Sequence, residues 1–242
     1  MFGDVASANV VGYAGSKLDE DFGTRPTVAL FVDCGSSTAQ IKLGNIKPVP
    51  GQGSLTADDI KDNVSFQMID GGGYTIDGTT RYWNGSIWTD ESFADKSEET
   101  YPAGTGFNVA NGCLPLVYDG GDVIFQSSGE VNQKNVLVQL DTDFGTKLTG
   151  NPFPVAIKLK DIIPVSTEDT AGNISYQKLD GGGYTIDGST RYWNGSIWTD
   201  ESFADMSEEE LQPGEGICVA NMVLPAAYDG ADAFLRFVAP SF

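Results

Sequence analysis

Residues 70–95 of this chain return as residues 180–205 with a single change, Thr79 to Ser189. The first copy reads DGGGYTIDGTTRYWNGSIWTDESFAD. An offset of 110, from residue 70 to residue 180, is domain-sized and too long for a solenoid repeat. The match extends outward with gaps. Leu18–Thr24 recurs as Leu140–Thr146, and Ile41–Leu43 as Ile157–Leu159. Gly104-Thr105-Gly106-Phe107 becomes Gly214-Glu215-Gly216-Ile217. The polar stretch Ser127–Glu130 makes a joint. The expected domains are therefore 1–131 and 132–242, each within the usual single-domain size range. Identity that peaks inside each copy fits either selection on a shared surface or a recent duplication.

Between Gly, Pro, Asp and Asn lie short β-branched and aromatic runs. Examples are Val28–Val32, Val64–Ile69, Val123–Phe125, Val136–Leu140 and Ala233–Val238. This pattern predicts an all-β fold of two tandem duplicated antiparallel domains, each a β-sandwich or barrel. Thr56–Ile60 and Ser207–Glu210 open with N-cap residues followed by acids and predict helical turns. The clearest local feature is a hairpin. Asn84-Gly85 suits a two-residue turn, setting Trp83 opposite Ser86, Tyr82 opposite Ile87 and Arg81 opposite Trp88. Alternation then puts Arg81, Trp83 and Trp88 on one face, repeated as Arg191, Trp193 and Trp198. Phe22, Leu30, Phe31, Ile41, Phe66, Ile76, Tyr82, Ile87 and Phe107 are expected in the core.

Composition excludes several function classes. The 242 residues contain no histidine and carry a formal net charge of −20. Histidine-based triads, histidine general bases and His-ligated zinc are absent from the repertoire. Such a charge repels phosphates and anionic lipid, so neither nucleic acid nor a membrane surface is an expected partner. No apolar run reaches the length of a membrane helix, and membrane insertion is not expected. The cysteines Cys34, Cys113 and Cys218 occupy no equivalent positions in the two copies and form no CxxC, so they read as core residues.

The remaining motifs each carry two readings. The Arg81/Trp83/Trp88 and Arg191/Trp193/Trp198 faces suit sugar stacking on indole, with avidity from two sites; packing inside a core is the competing reading. Asp70-Gly71-Gly72-Gly73 and Asp180-Gly181-Gly182-Gly183 raise Ca²⁺ as a ligand. They lack the DxDxDG spacing and fit a turn better, so no cofactor is expected. Asp90, Glu91 and Asp95, repeated as Asp200, Glu201 and Asp205, offer carboxylates for a hydrolase, but in one short stretch rather than across a cleft. Asn84-Gly85-Ser86 and Asn194-Gly195-Ser196 match the glycosylation sequon, although the turn already explains Asn-Gly.

Asn9-Val10-Val11-Gly12-Tyr13, the Tyr-Trp-x-Gly-x-x-Trp hairpin and the Gly-x-Gly-Phe-x-Val strand together resemble uncharacterised secreted bacterial β-repeat proteins. The resemblance spans most of the first copy; in the second, Ile217 replaces the aromatic residue and the Gly-Tyr pair is missing. It implies secretion and a duplicated β-domain, and no activity. Ala6-Ser7-Ala8 suits signal cleavage and points the same way.

The expected function is that of a non-enzymatic structural or assembly protein, secreted or on the cell surface, as in a fibre, a layer or a virion. Its expected partners are copies of itself, joined by strand addition through Asn9, Val10, Val11 and Tyr13 at one end and Phe234 and Phe237 at the other. A carbohydrate-binding adhesin using the tryptophan faces is the alternative.

Overall fold

A computed structural model describes residues 24–29, 31–32, 39–51, 56–69, 76–111, 123–140, 146–167, 169–179, 186–223 and 233–241. Phe22, Leu30, Cys34, Cys113, the Asn9–Tyr13 segment and the triple-glycine loops lie outside them.

The fold is all-β and antiparallel. One five-stranded sheet runs in the order Thr24–Val28, Gly106–Asn111, Val64–Ile69, Ile76–Trp83, Trp88–Thr89. A second runs Thr146–Gly150, Gly216–Asn221, Ile174–Leu179, Ile186–Trp193, Trp198–Thr199. Register repeats as well as order. Ser65 pairs with Tyr82 as Ser175 pairs with Tyr192, and both ladders shift register, between Gln67 and Ile69 and between Gln177 and Leu179. Among the described residues no sheet closes on itself, so the barrel alternative drops out.

Each sheet is faced by a smaller one. Val123–Ser127 pairs with Ile46–Pro50 in the first half. In the second half Phe234–Phe237 lies between Val136–Gln139 and Ile162–Val165. One core fills the space between the layers of the first half, from Phe66 and Phe107 on the large sheet to Phe125 on the small one. The core of the second half is built around Tyr176, Phe153, Trp198 and Phe237. The alternating burial of Val123–Ser127 and Val136–Gln139 follows directly from strand periodicity.

The structure corrects four expectations. Ser207–Glu210 is no helix. Leu159 and Lys160 donate their backbone N–H groups to Glu209 and Ser207, and a strand begins at Glu210. Thr56–Ile60, by contrast, does hold a short helix, Ala57–Ile60, closed by a reciprocal Thr56–Asp59 capping box. The hairpin pairs Trp83 with Trp88 and Tyr82 with Thr89, two residues away from the two-residue-turn register. The cause is the Asn84 side chain. Its Oδ1 accepts from the N–H groups of Ser86 and Ile87, which opens the loop to four residues. A shift of two preserves side-chain parity, so Trp83 and Trp88 still share a face. That face is the inner one, which puts Tyr82 on the outer surface at 39% exposure rather than in the core. Finally, Phe234–Phe237 is not an edge. Phe237 is paired with both Val136 and Ile162 and is buried, so this strand has no free side on which to add a neighbour, and Phe234 and Phe237 are withdrawn as assembly residues.

The two halves meet along their outer strands. Thr24–Val28 lies against Gly216–Asn221, and Thr146–Gly150 reciprocally against Gly106–Asn111. Ala103 packs into the core of the second half, with Val32 and Ala39 against it. The buried Thr149 hydroxyl donates to the Gly104 carbonyl at 2.8 Å. Backbone approaches so closely here that a Cβ on Gly106 would fall 2.5 Å from the Leu148 carbonyl carbon. Gly106→Ala is expected to cost at least about 1–3 kcal/mol, because the obstructing atoms are backbone. Gly172→Ala serves as the control: its φ is +71° and nothing lies within 4 Å of the added carbon. It should cost only about 1 kcal/mol of backbone strain. Urea unfolding of the two variants separates the effects; equal costs would show that the seam is not tightly packed.

Candidate functional site

The tryptophan faces are inside the protein. Trp88 and Trp198 are fully buried, and Trp83 and Trp193 are 6% and 7% exposed. Trp83 meets Trp88 edge-to-face at 5.3 Å, and Trp193 meets Trp198 at 5.5 Å. The Trp88 indole N–H donates to the Ile46 carbonyl at 2.7 Å, and Trp198 to Ile162 at the same distance. Arg81 is buried too. Its Nε and Nη2 bind both oxygens of Glu99 at 2.8 Å, and Tyr101 donates to the same carboxylate. Arg191 pairs with Glu209 at 2.6 Å. Burial, with Glu99 accepting its O–H, pushes the Tyr101 phenol well above its usual range. Trp83, Trp88, Trp193 and Trp198 are therefore corrected from a sugar platform to core, since no ring face is open to a ligand, and Arg81 and Arg191 are held in ion pairs, Arg81 buried and Arg191 half-buried.

The acidic segment after each hairpin is a compact loop rather than a catalytic pair. Asp90 Oδ1 accepts from the Ser92 N–H, the Ser92 hydroxyl and the Ala94 N–H, at 2.9, 2.7 and 3.0 Å. The Phe93 N–H donates back to the Asp90 carbonyl, and Thr89 bridges to Asp95. Asp95 in turn accepts from the Ser97 N–H. The Lys96 N–H donates to the Trp88 carbonyl, which fixes the loop to the core strand beneath it. Asp200, Ser202, Ala204, Asp205 and Ser207 repeat these bonds. The Ser92 hydroxyl and the Ala94 N–H hold the Asp90 carboxyl well below the usual carboxylate range, and Ser202 and Ala204 lower Asp200 likewise. Both groups are ionised acceptors, not proton donors. Glu91 and Glu201 are exposed within the same loops. Among the described residues no cluster of three His, Cys, Asp or Glu side chains could hold a metal ion.

The loop presents one residue that the sequence did not single out. Phe93 is 84% exposed and Phe203 is 85% exposed, and both have a φ of 63°. A bulky side chain at positive φ is a genuine outlier, and here it occurs twice. No sequence signal announces it, because this backbone region is ordinarily filled by Gly or Asn.

Asn84 and Asn194 spend their side-chain oxygens on the hairpin turn. Cys218 is buried against Leu148. Among the described residues no helix is long and apolar enough to cross a membrane. No protein-family model, no curated protein and no solved structure matches this chain.

Since Asp90 and Asp200 have lowered folded-state pKa values, their support of the loop is complete above about pH 4 and is lost as pH falls through those lowered values. Amide-exchange protection at Ser92, Ala94, Ser202 and Ala204 should therefore fall on acidification before that of the core amide of Phe66. Asp90→Asn should show the weakened protection of Ser92 and Ala94 already at neutral pH. Protection that is flat with pH would remove these carboxylates as the organising groups.

Proposed function

We propose that this chain is a non-enzymatic structural or assembly protein. Its body is two tandem duplicated antiparallel β-domains, residues 1–131 and 132–242, packed on one another along their outer strands. Its task is to hold two identical phenylalanine knobs, Phe93 and Phe203, for docking. The observation that carries this reading is their near-complete exposure at positive φ in both copies.

The physical argument is one of cost. A residue other than glycine at this φ costs about 1–2 kcal/mol. An exposed Phe ring also forgoes about 1.5–3 kcal/mol of burial. Among the described residues no contact of either ring recovers these costs, and the side-chain hydrogen bonds that close the loop come from Asp90, Ser92 and Asp95 or their counterparts. A residue kept at the expense of stability, on a loop anchored to the core, is suited to contact with a partner. Of the repeated hairpin side chains, Trp83, Trp88 and Arg81 are committed to the core and its ion pairs, and Tyr82 and Tyr192 are less than half as exposed as the phenylalanines. A secreted or surface setting, as in a fibre, a layer or a virion, belongs to the proposal on the strength of the sequence alone.

The double variant Phe93→Gly/Phe203→Gly tests it. Relief of strain, offset by the greater unfolded-state freedom of glycine, should leave stability unchanged or raised by up to about 1 kcal/mol per site. Urea unfolding reads the change. A loss beyond about 1 kcal/mol per site would make the rings part of the folding core and overturn the docking reading.

A further inference from the structure

We propose that Phe93 and Phe203 each dock into an apolar pocket rimmed by lysine or arginine on a different protein, and not into a second copy of this chain. The inference rests on the docking reading above and names the chemistry of the partner.

Charge decides between the two occupants. Each ring shares a short loop with three acids: Asp90, Glu91 and Asp95 flank Phe93 in the chain, and Asp200, Glu201 and Asp205 flank Phe203. An apolar pocket accepts the ring, and a cationic rim meets the carboxylates. A second copy is poorly equipped for that rim. It carries a net charge of −20, and many of its cations are already taken within the chain. Arg81 binds Glu99, Arg191 binds Glu209, and Lys158 and Lys160 share Glu208. Two like-charged copies brought together at these loops repel.

The two knobs are not equivalent, and the difference lies in one position. Lys96 sits 3.1 Å from Asp90, whereas Met206 takes its place in the second copy. The first loop therefore has three acids and a lysine, and the second three acids and no cation. Phe203 is set in the more negative surround and should contribute more to binding a cationic partner. Two knobs on one chain also permit bivalent engagement, in which each site raises the effective concentration of the other.

The test is titration of the full chain with a fluorescent amphipathic peptide of lysine and leucine, followed by anisotropy. Two control peptides carry serine for lysine and lysine alone. The Lys/Leu peptide is expected to bind at least about tenfold more tightly than either control, and to weaken as salt screens the charges. Phe93→Ser/Phe203→Ser should lose about tenfold or more, with Phe203→Ser alone losing more than Phe93→Ser. Absence of binding by the Lys/Leu peptide, or binding unchanged in the double serine variant, would overturn the proposal. Equal binding of the serine–leucine peptide would overturn the cationic rim while leaving the knobs as docking groups. Sedimentation of the chain alone covers the remaining occupant: self-association that disappears in the double serine variant would assign the pocket to a second copy. Failure of the docking reading itself registers separately, in the urea unfolding of the glycine variants.

Discussion

The indole N–H of Trp88 reaches across the core to the Ile46 carbonyl, and that of Trp198 to Ile162. This bond joins the short outer strand of each large sheet to the facing layer. It solves two problems together. A buried indole donor would otherwise be unpaired, and so would a carbonyl at the start of the strands Ile46–Pro50 and Ile162–Val165. Around it the aromatic rings interlock, with Phe66 5.0 Å from Trp88 and Tyr176 5.2 Å from Trp198. The loop carrying Phe93 leaves the strand Trp88–Thr89, so a fully buried core residue lies at the root of a largely exposed ring. The same relation holds between Trp198 and Phe203.

In the proposed docking role, the fixed root of the loop bears on the cost of contact. A phenylalanine on a mobile loop would lose conformational entropy on docking. Here Asp90 has already closed the loop through three accepted hydrogen bonds, and the Lys96 N–H ties it to the strand. The ordering cost is met in the folded state rather than at the moment of contact. Strain at φ 63° and carboxylate capping are thus two sides of one arrangement, the second holding the first in place.

Much of the fold was legible in the sequence for a simple reason. Strand runs such as Val64–Ile69 alternate, turns are rich in Gly, Asn and Asp, and the sequence repeat carries the same order and register into the second half. Which side of a strand faces inward was not legible, because alternation defines two faces and names neither. Trp83 and Trp88 were correctly placed together, yet the choice between platform and core depends on the layer that covers them. The hairpin register depended on one side chain, the Asn84 amide, competing with the backbone for the turn. The Ser207–Glu210 segment reads as a helix start locally, but its carbonyls serve the Leu159–Asp161 turn of a distant segment. Phe93 escaped notice because its conformation is imposed by Asp90 and not by any preference of its own.

The seam between the halves bears on why the sequence repeat varies at its ends and is nearly identical in its middle. Outer strands at the seam touch different residues on each side. Gly104 faces Val136 and Val138, and Gly106 faces Leu148, so substitutions there are answered across the interface rather than within one repeat. The hairpins and their acidic loops lie at the other side of each sheet, away from that seam. Their packing partners come from their own half: Trp88 on Ile46 and Phe125, Trp198 on Ile162 and Tyr176. A side chain packed within its own repeat meets neighbours of the same kind twice, Ile46 and Phe66 for Trp88 and Ile162 and Tyr176 for Trp198, and the same solution serves both. That constraint accounts for identical tryptophans without reference to a partner. It does not extend to the exposed phenylalanines, whose identity fits either a recent duplication or the docking role proposed above.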